Sequence, residues 1–374
     1  MSPYHPIHES TEIIHLAVLG HGKIGSEFIR QVIGQAELIA LRKRIELRIF
    51  AIANSTSVIL KSEGWCDDWQ QAILEAMPQD GDLFETIIQF AQKQSLRNLI
   101  LVDNTASEDV ARAYPRFVQA GFDLVSSNKR ANTLPWADYK ALHDLLYTSG
   151  RIYRYETNVG AGLPLIDNIK LLHLSGERIS RIYGVFSGSL SYIFNTLGQH
   201  PELGAEAIIQ RAIALGYAEP DPREDLSGED VARKLLILAR ELDIECEFED
   251  IALEGLVPDP LRSLSQEEFT LRTEELAQNL DILRASCPRE KALRYTGEVI
   301  WDDKTQTARL AARLEAVPLT SPLGALSSAD CCFEIYTESY GDRPIIVQGA
   351  GAGVKVTARG VFGDVLRIAE RRQR

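Results

Sequence analysis

The sequence predicts an α/β chain in two parts, a domain with a parallel sheet followed by an α+β domain. A short apolar run at residues 13–19 leads directly into the glycine-rich turn GHGKIG and then into an amphipathic stretch at 24–41. Up to Gly150, further apolar runs alternate with helical stretches, which is typical of a parallel sheet. Beyond Gly150 the strands are no longer separated by long helical crossovers, which favours an α+β region.

The composition is that of an ordinary globular protein. With 374 residues and 45% hydrophobic content, the chain is long enough for two or three subdomains with buried cores. A formal net charge of −13 argues against a nucleic acid or an anionic membrane as partner, because both require a basic surface. The N-terminal MSPYHPIHES has no basic start and no apolar run, so we expect neither export nor a membrane span.

The cysteines indicate a reducing compartment. There are five of them, without a CxxC spacing, which fits reduced thiols in a cytoplasmic protein better than a disulfide framework. The adjacent Cys331 and Cys332 are expected to be part of a strand core rather than a redox centre.

The first turn matches a dinucleotide-binding fingerprint. Its three glycines have separate predicted tasks: Gly20 makes the turn, Gly22 lets the backbone approach a pyrophosphate, and Gly25 lets the helix pack on the sheet. The triplet is a weak signal alone, and its position between a strand and a helix strengthens it. The predicted cofactor contacts here are Gly20, Gly22, Lys23, Ile24 and Gly25.

The end of the second strand bears on cofactor choice. The run at 47–53 ends in Asn54 and Ser55 rather than in the acid that would bind a ribose 2′-hydroxyl. A 2′-phosphate is therefore not repelled, and we expect NADP or use of both NADP and NAD, with Asn54 near the cofactor. Lys61 lies close enough in sequence to meet such a phosphate, but a lone lysine is more typical of solvated surface.

Two more strands, at 98–102 and 122–125, lead into DNTAS and SSNKRAN. Ligands of parallel sheets gather at the carboxyl ends of strands, so both segments should face the cofactor. The residues placed there are Thr105, Ala106, Ser127, Asn128 and Lys129. Lys129 is a candidate site residue because it directly follows a buried strand, and the alternative is a surface lysine in a loop.

The segment after Gly150 begins with a predicted strand, RIYRYE, and a glycine-rich turn, TNVGAGLPLIDNI, that enters a helix. Such a turn exposes carbonyl oxygens, which with Glu156 would suit a hard monovalent cation. The alternative is a glutamate at a strand end beside a turn that needs glycine, and the spacing does not decide between them. RISRIYGV is then a strand, with a helix behind it.

The C-terminal part contains a predicted helix at 267–278, strands within 291–318 and the turn GAGAG. In this turn Gly349, Gly351 and Gly353 allow the backbone to lie against a ligand. The last helix should pack back on the first domain. We therefore expect a nucleotide-binding domain at 1–150 completed by 335–374, and a second domain at 151–334.

The stretch 212–234 is crowded with carboxylates around Pro220 and Pro222, which predicts an ordered loop from Glu219 to Asp225. Ser227 is expected to cap the following helix. Asp230 and Lys234 are four residues apart and so share a helical face, where an acid can hold an ammonium. The alternative is an ordinary surface ion pair, with Asp230 facing the helix cap, and this segment alone does not exclude it.

Taken together, segments from Ile14 to Glu370 resemble homoserine dehydrogenases. The most specific part is the family signature A-x3-G-[aromatic/aliphatic]-small-x2-[DNS]-P-x2-D-aliphatic-x-G-x-D-x3-K. It falls without departure on Ala212, Gly216, Tyr217, Ala218, Asp221, Pro222, Asp225, Leu226, Gly228, Asp230 and Lys234. The blocks ETNVGAGLP, FSGSLSYIFN, SSNK and GAGAG-x-x-VTA-x-GV resemble the family as well, in the same order.

The resemblance implies a Rossmann-type domain plus a catalytic and dimerising domain with a mixed sheet, in a homodimer. The implied reaction is the reversible reduction of aspartate 4-semialdehyde to homoserine with NADH or NADPH, in threonine, methionine and isoleucine biosynthesis. Asp230 and Lys234 take the catalytic positions, and Lys129 that of a lysine facing cofactor and substrate. Glu219 and Asp225 would hold the substrate's amino acid end.

The resemblance also implies a sodium site and further cofactor contacts. The sodium ligands would be Glu156 and the carbonyls of Val159, Ala161 and Leu163, and the further cofactor contacts Gly351 and Gly353. Some relatives carry a regulatory C-terminal domain or a fused aspartate kinase, and we expect neither here.

Two competing functions stay open from the residues alone. A semialdehyde dehydrogenase that works through a thioester would need a cysteine nucleophile beside a base, and none of the cysteines has a neighbouring histidine in sequence. A dinucleotide sensor without catalysis would keep the fold and lose the chemistry. The presence of both Asp230 and Lys234 disfavours the sensor.

Overall fold

The computed structural model describes residues 11–78, 81–302 and 304–372. The N-terminal stretch 1–10, on which the expectation of no export signal depends, lies outside these residues. The chain forms two compact units. The first contains the chain up to Ala131, then Ala137–Tyr155, and the segment from Thr357 onward. The second contains Asn132–Trp136 and Glu156–Val356.

The first unit is built on a six-stranded sheet with the order β3-β2-β1-β4-β5-β6. All neighbouring strands are parallel except β3, which runs antiparallel to β2. The four strands predicted before Gly150 are all present, and β3 and the pairing of β6 are additions. The strands are β1 (Glu12–Leu19), β2 (Ile45–Ala53), β3 (Val58–Leu60), β4 (Leu99–Asp103), β5 (Asp123–Ser126) and β6 (Tyr153–Arg154).

Helices connect these strands, as the alternating pattern predicts. They are α1 (Lys23–Lys43), α2 (Trp69–Glu75), α3 (Leu83–Lys93), α4 (Glu108–Arg112), α5 (Tyr114–Gln119) and α6 (Trp136–Ser149). Helix α3 begins where Asp82 accepts the backbone N–H groups of Phe84 and Glu85, so its first turn is capped by the side chain. A short 3₁₀ helix, Arg130–Thr133, follows β5.

The last helix, α15 (Val354–Arg372), completes the core of the first unit from Thr357 onward. Phe362 packs edge-on against Phe28 of α1, with ring centroids 6.2 Å apart. Arg372 donates to both oxygens of the buried Asp123, at 2.7 and 2.8 Å. The last helix therefore packs within the first unit.

The second unit contains a mixed six-stranded sheet with the order β12-β11-β7-β9-β10-β8. Its pairs are antiparallel except β10 with β8, which is parallel. A mixed sheet in this part of the chain was expected, and this is confirmed. The strands are β7 (Ile179–Val185), β8 (Ile251–Leu253), β9 (Lys291–Asp302), β10 (Thr307–Pro318), β11 (Asp330–Thr337) and β12 (Ile345–Ala350).

This unit also contains a set of helices. They are α7 (Ile166–Leu174), α8 (Gly188–Gln199), α9 (Ala205–Ala214), α10 (Pro222–Leu226), α11 (Glu229–Arg240), α12 (Asp259–Arg262), α13 (Gln266–Thr270) and α14 (Thr273–Ser286). At Gly297 of β9, an added Cβ would lie 2.8 Å from the Phe186 ring and 2.9 Å from Leu235 of α11. The glycine therefore lets α11 approach the sheet closely.

The domain limits differ from those expected. Of RIYRYE, only Tyr153–Arg154 is a strand, and it pairs with β5 of the first sheet, so the first unit extends to Tyr155. At the other end, β11 and β12 belong to the second sheet, so the chain rejoins the first unit at Thr357 and not at 335. Both errors concern strand pairing, which is a long-range property.

The acidic stretch also differs from the expected loop, because Pro222–Leu226 form the short helix α10. Proline is tolerated at the first helical position, where its missing N–H would lack a partner anyway. Asp221 precedes it in extended conformation and caps the turn by accepting the N–H of Arg223 at 3.0 Å. Glu219 and Pro220 lie before this helix.

Within the residues described, no helix combines the length and apolar character needed to cross a membrane. All five cysteines are free thiols, as predicted, and Cys331 and Cys332 are buried in β11.

Candidate active site

The glycine turn after β1 has the geometry that its three tasks require. Gly20 has φ +81°, a conformation that favours glycine, and it makes the turn. An added Cβ at Gly25 would lie 1.9 Å from the carbonyl oxygen of Gly20, so the helix sits directly on the turn. At Gly22, the N-cap of α1, nothing lies within 4 Å of an added Cβ. The first turn of α1 has no acidic residue, so its N-terminus suits a phosphate.

Hydrogen bonds connect the carboxyl ends of the neighbouring strands to this turn. The N–H of Gly20 donates to Ala53 at the end of β2, and the N–H of Asn104 donates to Leu19 at the end of β1. Ser127 donates through its hydroxyl to Asn104 at 3.1 Å. Thr105 lies against the turn, because its methyl group would be 2.8 Å from a Cβ at Gly20. The predicted cofactor edge is thus one continuous set of hydrogen-bonded strand ends.

The segment after β2 gives less support to a direct phosphate contact. The Asn54 side-chain oxygen accepts the N–H groups of Thr56 and Ser57, at 2.8 and 2.7 Å, and so closes a turn. Lys61 pairs with Asp68 at 3.3 Å. These contacts favour a structural role for Asn54 and a surface role for Lys61.

A buried network that sequence reasoning missed lies where β4 and β5 end. Asp103 is 0% exposed, and its Oδ2 accepts from the Tyr114 hydroxyl at 2.7 Å and from Asn128 Nδ2 at 2.9 Å. Its Oδ1 accepts the N–H of Thr105 at 2.8 Å. Burial raises the pKa of the Asp103 carboxyl, and the hydrogen bonds that it accepts oppose the rise.

This network anchors the chain on either side of Lys129. The Asn128 side chain also donates to the Ser107 carbonyl at 2.8 Å, and its oxygen accepts the N–H of Arg130 at 3.0 Å. Lys129 itself is partly buried. The lysine therefore extends from a fixed backbone. An acid ending a buried strand, as in VDNTAS, is the sequence signal that would have indicated the network.

In the second unit, Lys234 and Asp230 form a close pair on α11. Lys234 Nζ lies 2.6 Å from Asp230 Oδ2 and donates to the Phe186 carbonyl at 2.8 Å. The Lys234 side chain is 10% exposed and that of Asp230 is 44% exposed. An ordinary surface pair exposes both partners, so the buried lysine disfavours that alternative.

The pKa of Lys234 reflects two opposing causes. Burial is the largest single cause and lowers the pKa of the ammonium, but Asp230, helped by Cys331 and Asp225, raises it, and the net pKa lies above its usual value. The lysine is therefore held as a cation at neutral pH. Burial raises the pKa of the neighbouring Cys331 thiol to about 12, so this sulfur stays neutral.

The start of α11 differs from the predicted cap. Its N-cap is Gly228, with φ +78°, and not Ser227. The Ser227 hydroxyl accepts the N–H of Glu229 at 3.2 Å. A Cβ at Gly228 would lie 2.0 Å from the Tyr295 hydroxyl, so only glycine allows the chain to pass here. Asp230 is the second residue of the helix.

The acidic residues before α11 divide into two groups. Asp221 is paired with Arg223 at 2.6 Å, and Arg223 also donates to the Leu264 carbonyl at 2.7 Å, so this acid is structural. Asp225 Oδ2 accepts the N–H of Glu219 at 2.8 Å. The structure thus brings both predicted substrate acids, Glu219 and Asp225, together.

The carboxylates at this place repel one another. Burial raises the pKa of Asp225, and the carboxylates of Glu219 and Asp230 raise it further. Burial also raises the pKa of Glu224, and again the nearby carboxylates of Glu219 and Asp225 contribute. A bound ammonium group would relieve this repulsion, because it would favour the ionised form of each carboxyl.

Glu156 caps a helix. Its Oε1 accepts the N–H groups of Leu165 and Ile166, both at 2.7 Å, and its Oε2 accepts that of Asp167 at 3.0 Å. These donors belong to the start of α7, whose partial positive charge suits a carboxylate. This is the alternative to a sodium ligand, and the geometry favours it for the carboxylate.

The rest of the predicted sodium set consists of backbone carbonyls. That of Leu163 accepts the N–H of Leu165 at 3.0 Å, and Ala161 has φ +54°, so the turn around Val159 is tight. Among the residues described, no cluster of three or more His, Cys, Asp or Glu side chains could hold a metal ion. The donor chemistry of the turn, carbonyl oxygens alone, fits sodium better than a transition metal.

The GAGAG turn is shaped by packing. A Cβ at Gly351 would lie 1.9 Å from Cys331 Sγ, so this glycine is needed by the neighbouring strand rather than by a ligand. Gly353 has φ +139°, which favours glycine whether or not a cofactor binds.

The chain matches known families over most of its length. Residues 20–156 match the NAD binding domain of homoserine dehydrogenase, and residues 164–366 match homoserine dehydrogenase itself. The homoserine dehydrogenase of Saccharomyces cerevisiae is 34% identical over 371 residues, which cover 97% of this chain and 99% of that protein.

Other relatives are larger or less similar. The bifunctional aspartokinase/homoserine dehydrogenase of Haemophilus influenzae is 37% identical over 362 residues, which cover 96% of this chain but 43% of that protein. The chain thus spans less than half the length of this bifunctional relative. A crystal structure of a Candida auris protein of unknown function has a TM-score of 0.84 at 33% identity, covering 96% of this chain and 99% of that one. A hyperthermophilic archaeal homoserine dehydrogenase mutant in complex with NADPH shares the fold, with a TM-score of 0.70 at 21% identity and coverage of 96% and 98%.

A parallel sheet with a glycine-rich turn, together with a second unit that holds a buried lysine on an acid, defines a nicotinamide-dependent oxidoreductase. The family matches make the assignment specific. The chain belongs to the homoserine dehydrogenase family.

Proposed function

We propose that the protein catalyses the reversible, NAD(P)H-dependent reduction of L-aspartate 4-semialdehyde to L-homoserine. The observation that carries the proposal is the buried Lys234 ammonium, held 2.6 Å from Asp230 and 2.8 Å from the Phe186 carbonyl. These two acceptors fix the nitrogen and keep it protonated. Such a cation is what a carbonyl oxygen needs when it gains negative charge.

Hydride transfer and proton transfer are assigned to different groups. The bound nicotinamide supplies or accepts the hydride at the substrate carbon. Lys234 donates a proton to the aldehyde oxygen as charge develops there, and in the reverse direction the deprotonated lysine accepts the hydroxyl proton. Asp230 holds the lysine in place. Lys129, on its anchored backbone, faces cofactor and substrate, as its position in the family's motif suggests.

The substrate's amino acid end is assigned to the acidic loop. Its ammonium would bind Glu219 and Asp225, whose mutual repulsion such a group relieves. Substrates without the amino group should therefore bind weakly. This assignment uses the signature positions and the hydrogen bond from the Glu219 backbone N–H to the Asp225 carboxylate at 2.8 Å.

The thioester alternative finds little support. A thioester mechanism requires a thiolate, which forms only when the thiol's pKa is low. Burial raises the pKa of Cys331 and Cys332 to about 12, and that of Cys246 to about 11. Burial also raises the pKa of Cys287. None of these four thiols is suited to attack an aldehyde.

We propose NADP, or both NADP and NAD, as the cofactor, held by the predicted turn residues and by Thr105 and Ser127. The absence of an acid directly after β2 supports this, because Asn54 carries no charge to repel a 2′-phosphate. A comparison of kcat/KM for NADPH and NADH tests it. A preference for NADH of tenfold or more, about 1.4 kcal/mol, would exclude the proposal.

We also propose a structural sodium ion at the carbonyls of Val159, Ala161 and Leu163, with Glu156 fixing the turn rather than binding the ion. Support comes from the tight turn, where Ala161 has φ +54°. The Glu156 carboxylate accepts three N–H groups and is therefore assigned to the turn and not to the ion. Replacing sodium by potassium should lower the melting temperature of the wild type.

A homodimer that works in the cytoplasm completes the proposal. On the face of the second sheet opposite α11, a half-exposed ladder joins Arg181 to Glu298 at 2.6 Å and Arg313 to Glu315 at 2.6 Å. Such a sheet face, polar and only partly exposed, is suited to pairing with a second copy. Light scattering of the purified protein tests the dimer, and the free thiols of the chain support a reducing compartment.

The test of the reaction compares two substitutions on one helix. Lys234→Met should lower kcat for aldehyde reduction about a hundred- to ten-thousand-fold, the usual value of general acid catalysis. Arg233→Met is the matched control, because Arg233 forms a similar pair with Glu229 at 2.7 Å but lies on the surface side. Its kcat should stay near that of the wild type.

Two outcomes would contradict the proposal. If the wild type binds NADPH but turns over no substrate, the protein is a dinucleotide sensor. If Lys234→Met retains near-normal turnover, another group supplies the proton.

A further inference from the structure

A cavity of about 550 Å³ lies in the second unit and contains none of the residues assigned to the reaction. Its walls are the end of α8, the loop between α14 and β9, and the loop between β10 and β11. A volume of this size is typical of sites that bind small molecules. The cavity is formed within one unit.

The charged side chains that line the cavity are all cationic. Four cationic side chains line it and, within the described chain, no aspartate or glutamate does, although the whole chain has a net charge of −13. They are Arg284, Arg289, Lys291 and Arg294. Arg284 is paired with Asp281 at 2.8 Å, whereas Arg289 and Lys291 are exposed at the rim. The local field therefore favours an anion.

Arg294 is the fixed element of the cavity. It is 4% exposed, and its guanidinium donates to the carbonyls of Leu323 at 2.8 Å, Leu293 at 2.8 Å and Gly324 at 2.9 Å. Carbonyl groups orient a guanidinium but carry no compensating charge. Burial accordingly lowers the pKa of Arg294 to about 10. A buried cation of this kind is stabilised by an anion placed beside it.

The remaining wall is apolar and limits the kind of anion. It is formed by Phe194, Leu197, Leu293, Leu319 and Leu326. A bare inorganic ion would leave this surface without a partner, whereas a compact hydrocarbon body would cover it. The cations then lie at one side of the ligand and the apolar wall at the other.

We propose that this cavity binds a small organic anion, a carboxylate or phosphate ester on an apolar body, independently of the substrate and cofactor. Arg294 would fix the anionic group from inside, and Arg289 with Lys291 would attract it at the rim. Such a ligand is chemically different from the zwitterionic substrate of the proposed reaction, whose ammonium requires acids.

Calorimetric titration of the full chain tests the proposal with three probes: phenyl phosphate, phenylacetate and benzyl alcohol, the last being neutral. At least one anion should bind with Kd below about 1 mM, and benzyl alcohol should bind at least tenfold more weakly, a difference of about 1.4 kcal/mol. If phenyl phosphate binds more tightly than phenylacetate, the cavity prefers phosphate esters, and the opposite order indicates carboxylates. Affinity should fall as salt is added, since the rim charges are exposed.

A double variant tests whether the anion binds in this cavity. Arg289→Ala with Lys291→Ala removes the two exposed cations without touching the buried Arg294, and should weaken anion binding about fivefold or more. Arg178→Ala with Lys304→Ala removes two exposed cations elsewhere and should not change it. Both double variants should keep the wild-type homoserine oxidation rate.

Three results would overturn the proposal. Neither anion binds at millimolar concentration, benzyl alcohol binds as tightly as both anions, or the Arg289/Lys291 double variant binds them as tightly as the wild type. None of these outcomes depends on whether the enzyme reaction is the one proposed.

Discussion

Replacing Gly25 by alanine should push helix α1 away from the glycine turn, and the structure gives the size of the clash. The added Cβ would lie 1.9 Å from the carbonyl oxygen of Gly20. A carbon normally approaches a carbonyl oxygen to about 3.3 Å, so α1 and the turn would have to separate by roughly 1.4 Å. The turn itself has little freedom, because Thr105 and Asn104 already occupy the space beside Gly20.

The expected effects concern both stability and binding. Overpacking of this kind typically costs about 1–3 kcal/mol, and a displacement near 1 Å at a binding site costs about a hundredfold in function. Gly25→Ala should therefore lower the melting temperature and raise Kd for NADPH, measured by nicotinamide fluorescence, by about ten- to a hundredfold.

Gly34→Ala is the matched control on the same helix. Nothing lies within 4 Å of a Cβ added at Gly34, and alanine is about 1 kcal/mol more favourable than glycine in a helix interior. This variant should melt at a higher temperature and bind NADPH like the wild type. If Gly25→Ala behaves as Gly34→Ala does, the close contact between α1 and the turn is not what fixes the cofactor edge.

Three further substitutions test the buried polar groups. Asp103→Asn should lower kcat/KM by about tenfold or more, because Asn128 loses its acceptor and the backbone before Lys129 loses its anchor. Asp123→Asn is the control. Asp123 is as buried as Asp103 but is paired with Arg372, so this variant should lower only the melting temperature. Steady-state kinetics measure the effect on kcat/KM, and thermal melts measure the effect on stability. Equal losses of kcat/KM in both variants would show that Asp103 does not position Lys129. Glu156→Gln should lower the urea midpoint by the equivalent of about 1–3 kcal/mol, since one oxygen that accepts N–H groups of α7 is lost. An unchanged midpoint would mean that the cap contributes nothing.

The features that the sequence predicted well are those set by local spacing. The tasks of Gly20 and Gly25 follow from a turn between a strand and a helix, and the structure shows the close contact that requires them. The pairing of Asp230 with Lys234 follows from the helical repeat. Alternation of strands and helices was sufficient to predict the parallel sheet of the first unit.

The features that the sequence predicted poorly depend on contacts between residues that are far apart in the chain. Tyr153–Arg154 looked like the start of a new domain, but the hydrogen bonds to β5 place it in the first sheet. Asp103 joins side chains from three segments, and no spacing in the sequence links them. Glu156 was open between two roles, because only the fold brings the start of α7 to its carboxylate.

Helix α10 was missed for a different reason. Pro220 and Pro222 predict an ordered loop because they disfavour helix in the residues before them, but Pro222 instead occupies the first helical position, which proline suits. The capping of the turn by Asp221, at 3.0 Å from the N–H of Arg223, was visible in the sequence as an acid before a proline.

The pH dependence of aldehyde reduction in wild type and Asp230→Asn tests the central claim most directly. Asp230 raises the pKa of the Lys234 ammonium against the effect of burial, so the wild type should hold its proton donor through neutral pH and lose rate only as pH rises through that elevated pKa. Without the Asp230 carboxylate, burial lowers the pKa of Lys234 against weaker opposition, and the loss of kcat/KM should begin at lower pH in Asp230→Asn. Identical alkaline limbs in the two proteins would contradict the assignment of Lys234 as the acid that Asp230 keeps charged.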